Sequence, residues 1–122
     1  MPPKVQRDYF VTVKDSEHWC SLLNPDSRKL SVVDVFLPWC GPVTLMQANY
    51  RSIALKIEEW EQRIQFLVAD SEKVREVTEY QTSCRPKFLF FVGSRLVAEV
   101  EGLDIPRINT LINKYMPSLD GD

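Results

Sequence analysis

The sequence contains very little histidine and cysteine, and the few that occur do not form a metal-binding pattern. Among its 122 residues there is one histidine, His18, and there are three cysteines, Cys20, Cys40 and Cys84. No two of these cysteines have the C-x-x-C spacing of a zinc site. A disulfide scaffold is also not expected, because an intracellular chain of this size can build its core without one. We therefore expect no metal, no other cofactor and no structural disulfide.

Long apolar runs and an excess of positive charge are also missing. No apolar run approaches the roughly 20 residues that a transmembrane helix needs, and residues 1–8 contain no apolar stretch of the kind found in secretory signals. Lys+Arg 15 against Asp+Glu 17 gives a formal net charge of -2, whereas electrostatic nucleic-acid binders need a basic excess. We expect a cytoplasmic protein that binds neither membranes nor nucleic acids.

What is present is the composition of one globular domain. Hydrophobic residues make up 44% of the chain and charged residues 26%, and this length allows one packed core. We interpret residues 1–8 as a loose N-terminal arm, residues 9–116 as the domain and residues 117–122 as a short acidic tail.

Strand-like and helix-like segments alternate through the domain. Runs of β-branched and aromatic residues predict strands, and apolar residues at steps of three and four predict helices. Gly93-Ser94 predicts a two-residue hairpin turn. We expect His18 to lie on a solvated helix face and Cys20 to pack beneath that helix. The predicted strands cover residues 9–13, 30–37, 64–69, 87–92 and 96–100; the predicted helices begin at Asp15, Met46, Glu72 and Asp104 and extend to Leu23, Ile64, Tyr80 and Tyr115.

The most informative segment is Trp39-Cys40-Gly41-Pro42-Val43, where a buried strand gives way to a long helix. A thiol at a helix N-terminus lies beside unpaired backbone N–H groups, which favour its thiolate. Trp39 shields one side of it, and Gly41-Pro42 starts the helix in a fixed direction. Cys40 is thus a candidate nucleophile; the alternative is that it is a small buried apolar side chain.

This segment resembles the active-site motif of the thioredoxin family, W-C-G-P-C, with Val43 in place of the second cysteine. Asp34, six residues before Cys40, matches the family's buried aspartate. The resemblance implies the thioredoxin fold: an α/β domain with a central mixed sheet, helices on both faces and strand order 1-3-2-4-5.

Two further positions match the family. Cys84-Arg85-Pro86 corresponds to the loop that carries its cis-proline, and Gly102 to its glycine after the last strand. The resemblance implies a cis Arg85–Pro86 bond and a substrate- or partner-facing surface that includes Trp39 and Gly102.

Val43 changes the chemistry that the resemblance implies. Dithiol exchange needs a second thiol to attack the mixed disulfide, so Cys40 becomes a vestigial or monothiol nucleophile. Asp34 assists proton movement in that step in the family; here it is either an inherited feature or bonds to a hydroxyl or a water. Cys84 is either a substitute resolving thiol or a surface thiol at a protein contact.

One branch of the family resembles the chain more closely: the thioredoxin-like light chains of axonemal outer-arm dynein and the thioredoxin modules fused to nucleoside diphosphate kinase domains. The shared segments are residues 66–69, 84–90 and 103–106. This resemblance implies an axonemal subunit of the cilium, bound to a dynein heavy chain or another dynein-arm subunit. The alternative is a cytosolic monothiol redox protein that forms mixed disulfides through Cys40.

Overall fold

The computed structural model describes residues 9–36, 45–80 and 87–117. Their order confirms the alternation of strands and helices predicted from the sequence. The elements are β1 (Val11–Val13), α1 (Ser16–Leu22), β2 (Leu30–Phe36), α2 (Leu45–Lys56), α3 (Trp60–Arg63), β3 (Ile64–Asp70), a 3-10 helix (Arg75–Tyr80), β4 (Lys87–Val92), β5 (Arg95–Glu101) and α4 (Ile105–Tyr115).

The strands of the described ranges form one mixed sheet in the order β1-β3-β2-β4-β5, as predicted. β1 and β2 both pair with β3 in parallel, and β4 is antiparallel to β2 and to β5. Val33 at the middle of β2 has Leu67 of β3 on one side and Leu89 of β4 on the other. β2 is therefore the central strand, which explains its nearly continuous apolar sequence.

Alternate residues of the sheet enter two separate cores, one on each face. On one face, Val33 and Val35 pack with Trp19 of α1, whose ring meets the ring of Phe91 edge-on at 5.3 Å. On the other face, Val32 packs with side chains of α2 and α4. This second core contains the buried residues Leu30, Val32, Tyr50, Ile64, Phe66, Phe88, Phe90, Val100, Ile108 and Ile112. Helices thus cover both faces of the sheet, as expected.

The prediction of one helix from Met46 to Ile64 is wrong. α2 ends at Lys56, and a separate short helix, α3, begins at Trp60. Between them Glu59 adopts the left-handed conformation, with φ 52 and ψ 43. A right-handed helix cannot continue through such a residue. The apolar spacing persists across the break because both helices lie over the second core.

The short helix predicted over residues 72–80 also begins later than expected. The turn after β3 is held by Asp70, whose Oδ1 accepts from the N–H of Glu72 at 2.9 Å and whose carbonyl accepts from the N–H of Val74 at 3.0 Å. A 3-10 helix then covers Arg75–Tyr80. Val74 and Val77 are fully buried, as their apolar character predicted.

The first helix has the predicted cap, but Cys20 lies on the wrong side for the predicted packing. The Asp15 side chain accepts from the N–H of His18 at 2.8 Å, which caps α1. Trp19 is buried and Cys20 is exposed. Because successive helix residues are rotated by about 100°, a helix that buries Trp19 directs Cys20 away from the sheet.

The hairpin and the last helix confirm their predictions. β4 and β5 are joined through Gly93-Ser94, and Gly93 has a φ of +62. Asp104 caps α4, since its Oδ1 accepts from the N–H of Arg107 at 3.2 Å. α4 buries Ile108 and Ile112 against the sheet.

Candidate functional site

The strand ends that adjoin the predicted site residues all lie at one edge of the sheet. The end of β2 lies beside the start of β4, because Val35 pairs with Lys87. Lys87 in turn pairs with Glu101 at the end of β5, and Phe36 pairs with Asp70 at the end of β3. Neighbouring strands are about 4.8 Å apart. The chain therefore leaves β2, enters β4 and leaves β5 at adjacent positions.

Most of the predicted site residues lie outside the described residues, in the segments 37–44 and 81–86. Phe36 is four residues before Cys40, and Lys87 directly follows Pro86. Both segments are therefore attached to the same edge of the sheet. The predictions outside the described residues concern Trp39, Cys40, Gly41, Pro42, Val43, Cys84, Arg85 and Pro86, together with the cis bond between Arg85 and Pro86.

Gly102 lies at this edge, one residue after β5. Its φ is +87, a conformation that favours glycine, yet a Cβ built there has no atom within 4 Å. The glycine is thus required by the backbone conformation and not by crowding. The next residue, Leu103, has 37% of its surface exposed. Gly102 and Leu103 therefore present partly exposed backbone and an exposed apolar side chain at this edge.

Asp34 is a buried carboxyl group in the central strand, directly below the same edge. It is 1% exposed, and it lies on the sheet face that packs against α2 and α4. Its neighbours in the sheet are Val68 on β3 and Phe88 on β4, both apolar and buried. Burying a carboxyl group among apolar side chains is costly, so a carboxyl group is an uncommon side chain for this position of a central strand.

Tyr50 of α2 lies close to Asp34 and is a residue that sequence reasoning missed. Its ring stacks on Phe66 at a centroid distance of 4.3 Å, and Phe66 pairs with Val32, two residues before Asp34. Burial raises the pKa of the Tyr50 phenol well above 10.0, and the negative charge of Asp34 raises that pKa further. The sequence signal was a hydroxyl group within an otherwise apolar helix stripe.

The Tyr50 hydroxyl is enclosed by the second core. The residue is 1% exposed, and its oxygen has no hydrogen-bond partner within the described ranges. Its ring is held by Phe66 on one side and by Phe10 at 6.5 Å. Asp34 and Tyr50 therefore place a carboxyl group and a phenol in the same buried core, on β2 and α2, the two elements that flank the segment containing Cys40 in the sequence.

Charged side chains also lie near this edge, on the sheet face opposite to that of Asp34. Nζ of Lys87 is 3.6 Å from Oε2 of Glu99, and the side chains are 23% and 40% exposed. Such partly exposed pairs contribute about 0–1 kcal/mol to stability. The described residues contain no group of three or more His, Cys, Asp or Glu side chains that could hold a metal ion.

The described part of the chain contains no helix that is long and apolar enough to cross a membrane. The longest, α2, has 12 residues.

Comparison with known proteins identifies the fold and a set of relatives. The thioredoxin family model matches residues 10–114. The structure is similar to that of a reduced thioredoxin of Schistosoma mansoni, with a TM-score of 0.67 and 27% sequence identity, covering 87% of this chain and 97% of that one.

The curated relatives include a flagellar protein of similar length. The chain is 27% identical to the flagellar outer-arm dynein 14 kDa light chain of Chlamydomonas reinhardtii over 106 residues, which are 86% of this chain and 81% of that protein. It is 31% identical to human thioredoxin domain-containing protein 6 over 84% of this chain, but spans only 30% of that protein's length.

Proposed function

The chain belongs to the thioredoxin family, and we propose that it acts as an interaction subunit of an axonemal outer dynein arm. In this proposal it docks on a dynein heavy chain or on another dynein-arm subunit, in the cytoplasm of the cilium. Chemistry at Cys40 is limited to that of a single thiol.

The observation that carries this proposal is the extent of the similarity to the flagellar light chain. The match covers 86% of this chain and 81% of that relative, so the two correspond along most of both lengths. The match to human thioredoxin domain-containing protein 6 covers only 30% of that protein. We therefore take the flagellar light chain, the relative whose own length the match covers more fully, as the better guide to the role of this chain.

The sequence of the active-site motif supports a binding role over turnover. Val43 stands where the second thiol of a dithiol enzyme is required. When the Cys40 thiolate attacks a disulfide, it forms a new bond to one sulfur and releases the other as a thiolate. Without a thiol at residue 43, the trapped sulfur stays on Cys40 until an external thiolate displaces it.

The retained Trp39-Cys40-Gly41-Pro42 segment favours a second candidate function, that of a cytosolic monothiol redox protein. In that role a glutathione thiolate attacks the sulfur that is bound to Cys40, whether that sulfur belongs to a substrate protein or to another glutathione. A new disulfide forms between the two, and Cys40 leaves as a thiolate. The buried Asp34 is consistent with this role, since proton movement accompanies each exchange.

Fractionation of cilia in the presence of a reductant distinguishes the two functions. A dynein-arm subunit stays with the axoneme after detergent extraction in dithiothreitol and leaves it with the arms in high salt. A soluble redox protein is released by the detergent. The second result would contradict the docking proposal.

The matched variants are Cys40→Ser and Cys20→Ser, since Cys20 is an exposed thiol away from the site. If docking depends on buried surface area and not on a thiol, both variants should remain on the axoneme. Loss of Cys40→Ser alone would show that the attachment depends on the Cys40 thiol.

A further inference from the structure

A shallow groove lies between α2 and α4 on the outer side of the second core. Its volume is about 180 Å³, and the partly exposed side chains of Ile53 and Ile57 contribute apolar surface above the buried Ile112. Lys56 and Asn113 lie among the polar residues that line it. The groove thus combines an apolar surface with a cation and an amide that can pair with a polypeptide.

An amide pair joins the two helices that form this groove. Nδ2 of Asn49 donates to Oδ1 of Asn109 across 3.3 Å, and both side chains are partly buried. In both helices the bonded asparagine precedes the other lining residues in the sequence, which include Lys56 on α2 and Asn113 on α4. The bond joins the helices at Asn49 and Asn109 and does not involve Lys56.

The charges on the two helices are all of one sign. Residues 45–57 and 105–117 contain four cations and no aspartate or glutamate, although the whole chain has a net charge of -2. Acidic residues resume only beyond the helix ends, at Glu58 and Asp104. The four cations are Arg51 and Lys56 on α2, and Arg107 and Lys114 on α4. The two segments therefore carry a formal charge of +4, from four cations and no anion.

We infer that the α2–α4 groove binds an acidic segment of the protein on which this chain docks. Apolar side chains of the segment lie against Ile53 and Ile57, its carboxylates face Lys56, and its main chain pairs with Asn113. This inference rests on the proposed function, because it assigns a surface to the partner that the docking role requires.

The same charge distribution argues against a second copy of the chain as the occupant. A two-fold symmetric dimer through this groove places the same helix faces against each other. The Lys56 side chains of both copies would then lie in one interface between helices that carry no aspartate or glutamate, and like charges across an interface are unfavourable. An acidic partner instead gains attraction during encounter and after binding.

The test uses charge reversal at two positions of one helix. Lys56 lines the groove, whereas Arg51 is exposed on α2 and does not line it. Lys56→Glu and Arg51→Glu therefore make the same change in net charge, and only the first places a carboxylate in the groove. Lys56→Gln removes the cation without adding a negative charge near the C-terminus of α2, and so protects the test against a folding defect.

The probe is a fluorescein-labelled heptapeptide in which aspartate or glutamate alternates with leucine, titrated with the full chain and followed by fluorescence anisotropy. We expect Lys56→Glu to weaken binding about tenfold, which corresponds to about 1.4 kcal/mol. Lys56→Gln should weaken binding less, and Arg51→Glu should change it less than twofold. A peptide with lysine in place of the acidic residues should not bind.

Each outcome decides the inference. Equal losses in Lys56→Glu and Arg51→Glu would mean that the peptide senses only net charge, and would overturn the groove assignment. Absence of peptide binding to the wild-type chain would overturn it as well, and if the chain still remains on axonemes the docking proposal stands. Release of the wild-type chain from axonemes together with groove-specific peptide binding would overturn the docking proposal while supporting the groove.

Discussion

Asp34 and Tyr50 face the same core from different elements, one from the central strand and one from α2, and each is 1% exposed. The Asp34 carboxylate adds to the effect of burial in raising the pKa of the Tyr50 phenol. The pair links the strand that ends at the predicted active-site edge with the helix that follows the predicted active-site segment. The two residues thus lie on the elements that precede and follow Cys40 in the sequence.

Tyr50→Phe should leave the stability of the protein unchanged or raise it by up to about 1 kcal/mol. The substitution removes a buried hydroxyl that has no hydrogen-bond partner in the described part of the chain, and an unsatisfied buried polar group costs about 1–3 kcal/mol. The ring that stacks on Phe66 is retained. Urea denaturation at pH 7 measures the effect, with Tyr50→Ala as the control that should lose about 3–5 kcal/mol. A clear loss in Tyr50→Phe would mean that the hydroxyl makes a stabilising bond.

The stability of the wild-type protein should fall above about pH 10 by an amount that depends on Tyr50. Its pKa is raised in the folded state, so above the ordinary phenol pKa of about 10 the unfolded chain loses the proton while the folded chain keeps it. The contribution is therefore fully present below that pH and is lost as the pH rises towards the folded-state pKa. Denaturation between pH 8 and pH 11 should show a steeper decline in the wild type than in Tyr50→Phe. Parallel curves would contradict the assigned shift.

Gly93→Ala should destabilise the protein more than Gly102→Ala. Both glycines have positive φ, +62 and +87, and alanine at such an angle costs about 1–2 kcal/mol. A Cβ at Gly93 would also lie 2.8 Å from the carbonyl oxygen of Ser27, whereas a Cβ at Gly102 has no atom within 4 Å. The difference in the free energy of unfolding between the two variants measures the backbone contact. Equal losses would show that the loop at Ser27 moves aside freely.

The wild-type chain should show negligible reduction of insulin disulfides, and Val43→Cys should gain measurable turnover. A cysteine at residue 43 lies one helical turn from Cys40 in the motif that the sequence resembles, and it supplies the thiol that resolves the mixed disulfide. Insulin precipitation in dithiothreitol measures the rate. The control is Cys84→Ser in the wild-type background. Turnover of the wild type that disappears in Cys84→Ser would identify Cys84 as the resolving thiol and contradict the monothiol assignment.

Local sequence patterns determined the elements and most of their ends. Several features follow from the sequence alone, because each depends on residues close together in the chain. They are the apolar run of β2, the caps at Asp15 and Asp104, and the Gly93-Ser94 turn. The resemblance added the strand order β1-β3-β2-β4-β5, which adjacent residues cannot report.

Only the tertiary structure decided which elements and side chains contact each other. The helix break at Glu59 is invisible to apolar spacing, because both α2 and α3 keep their apolar sides on the same core. Cys20 faces solvent since the burial of Trp19 sets the rotation of α1. The approach of Tyr50 to Asp34 and the pairing of α2 with α4 depend on crossovers that join distant segments. Periodicity reports which side of an element is apolar, but the partner of that side is selected by packing across the whole sheet.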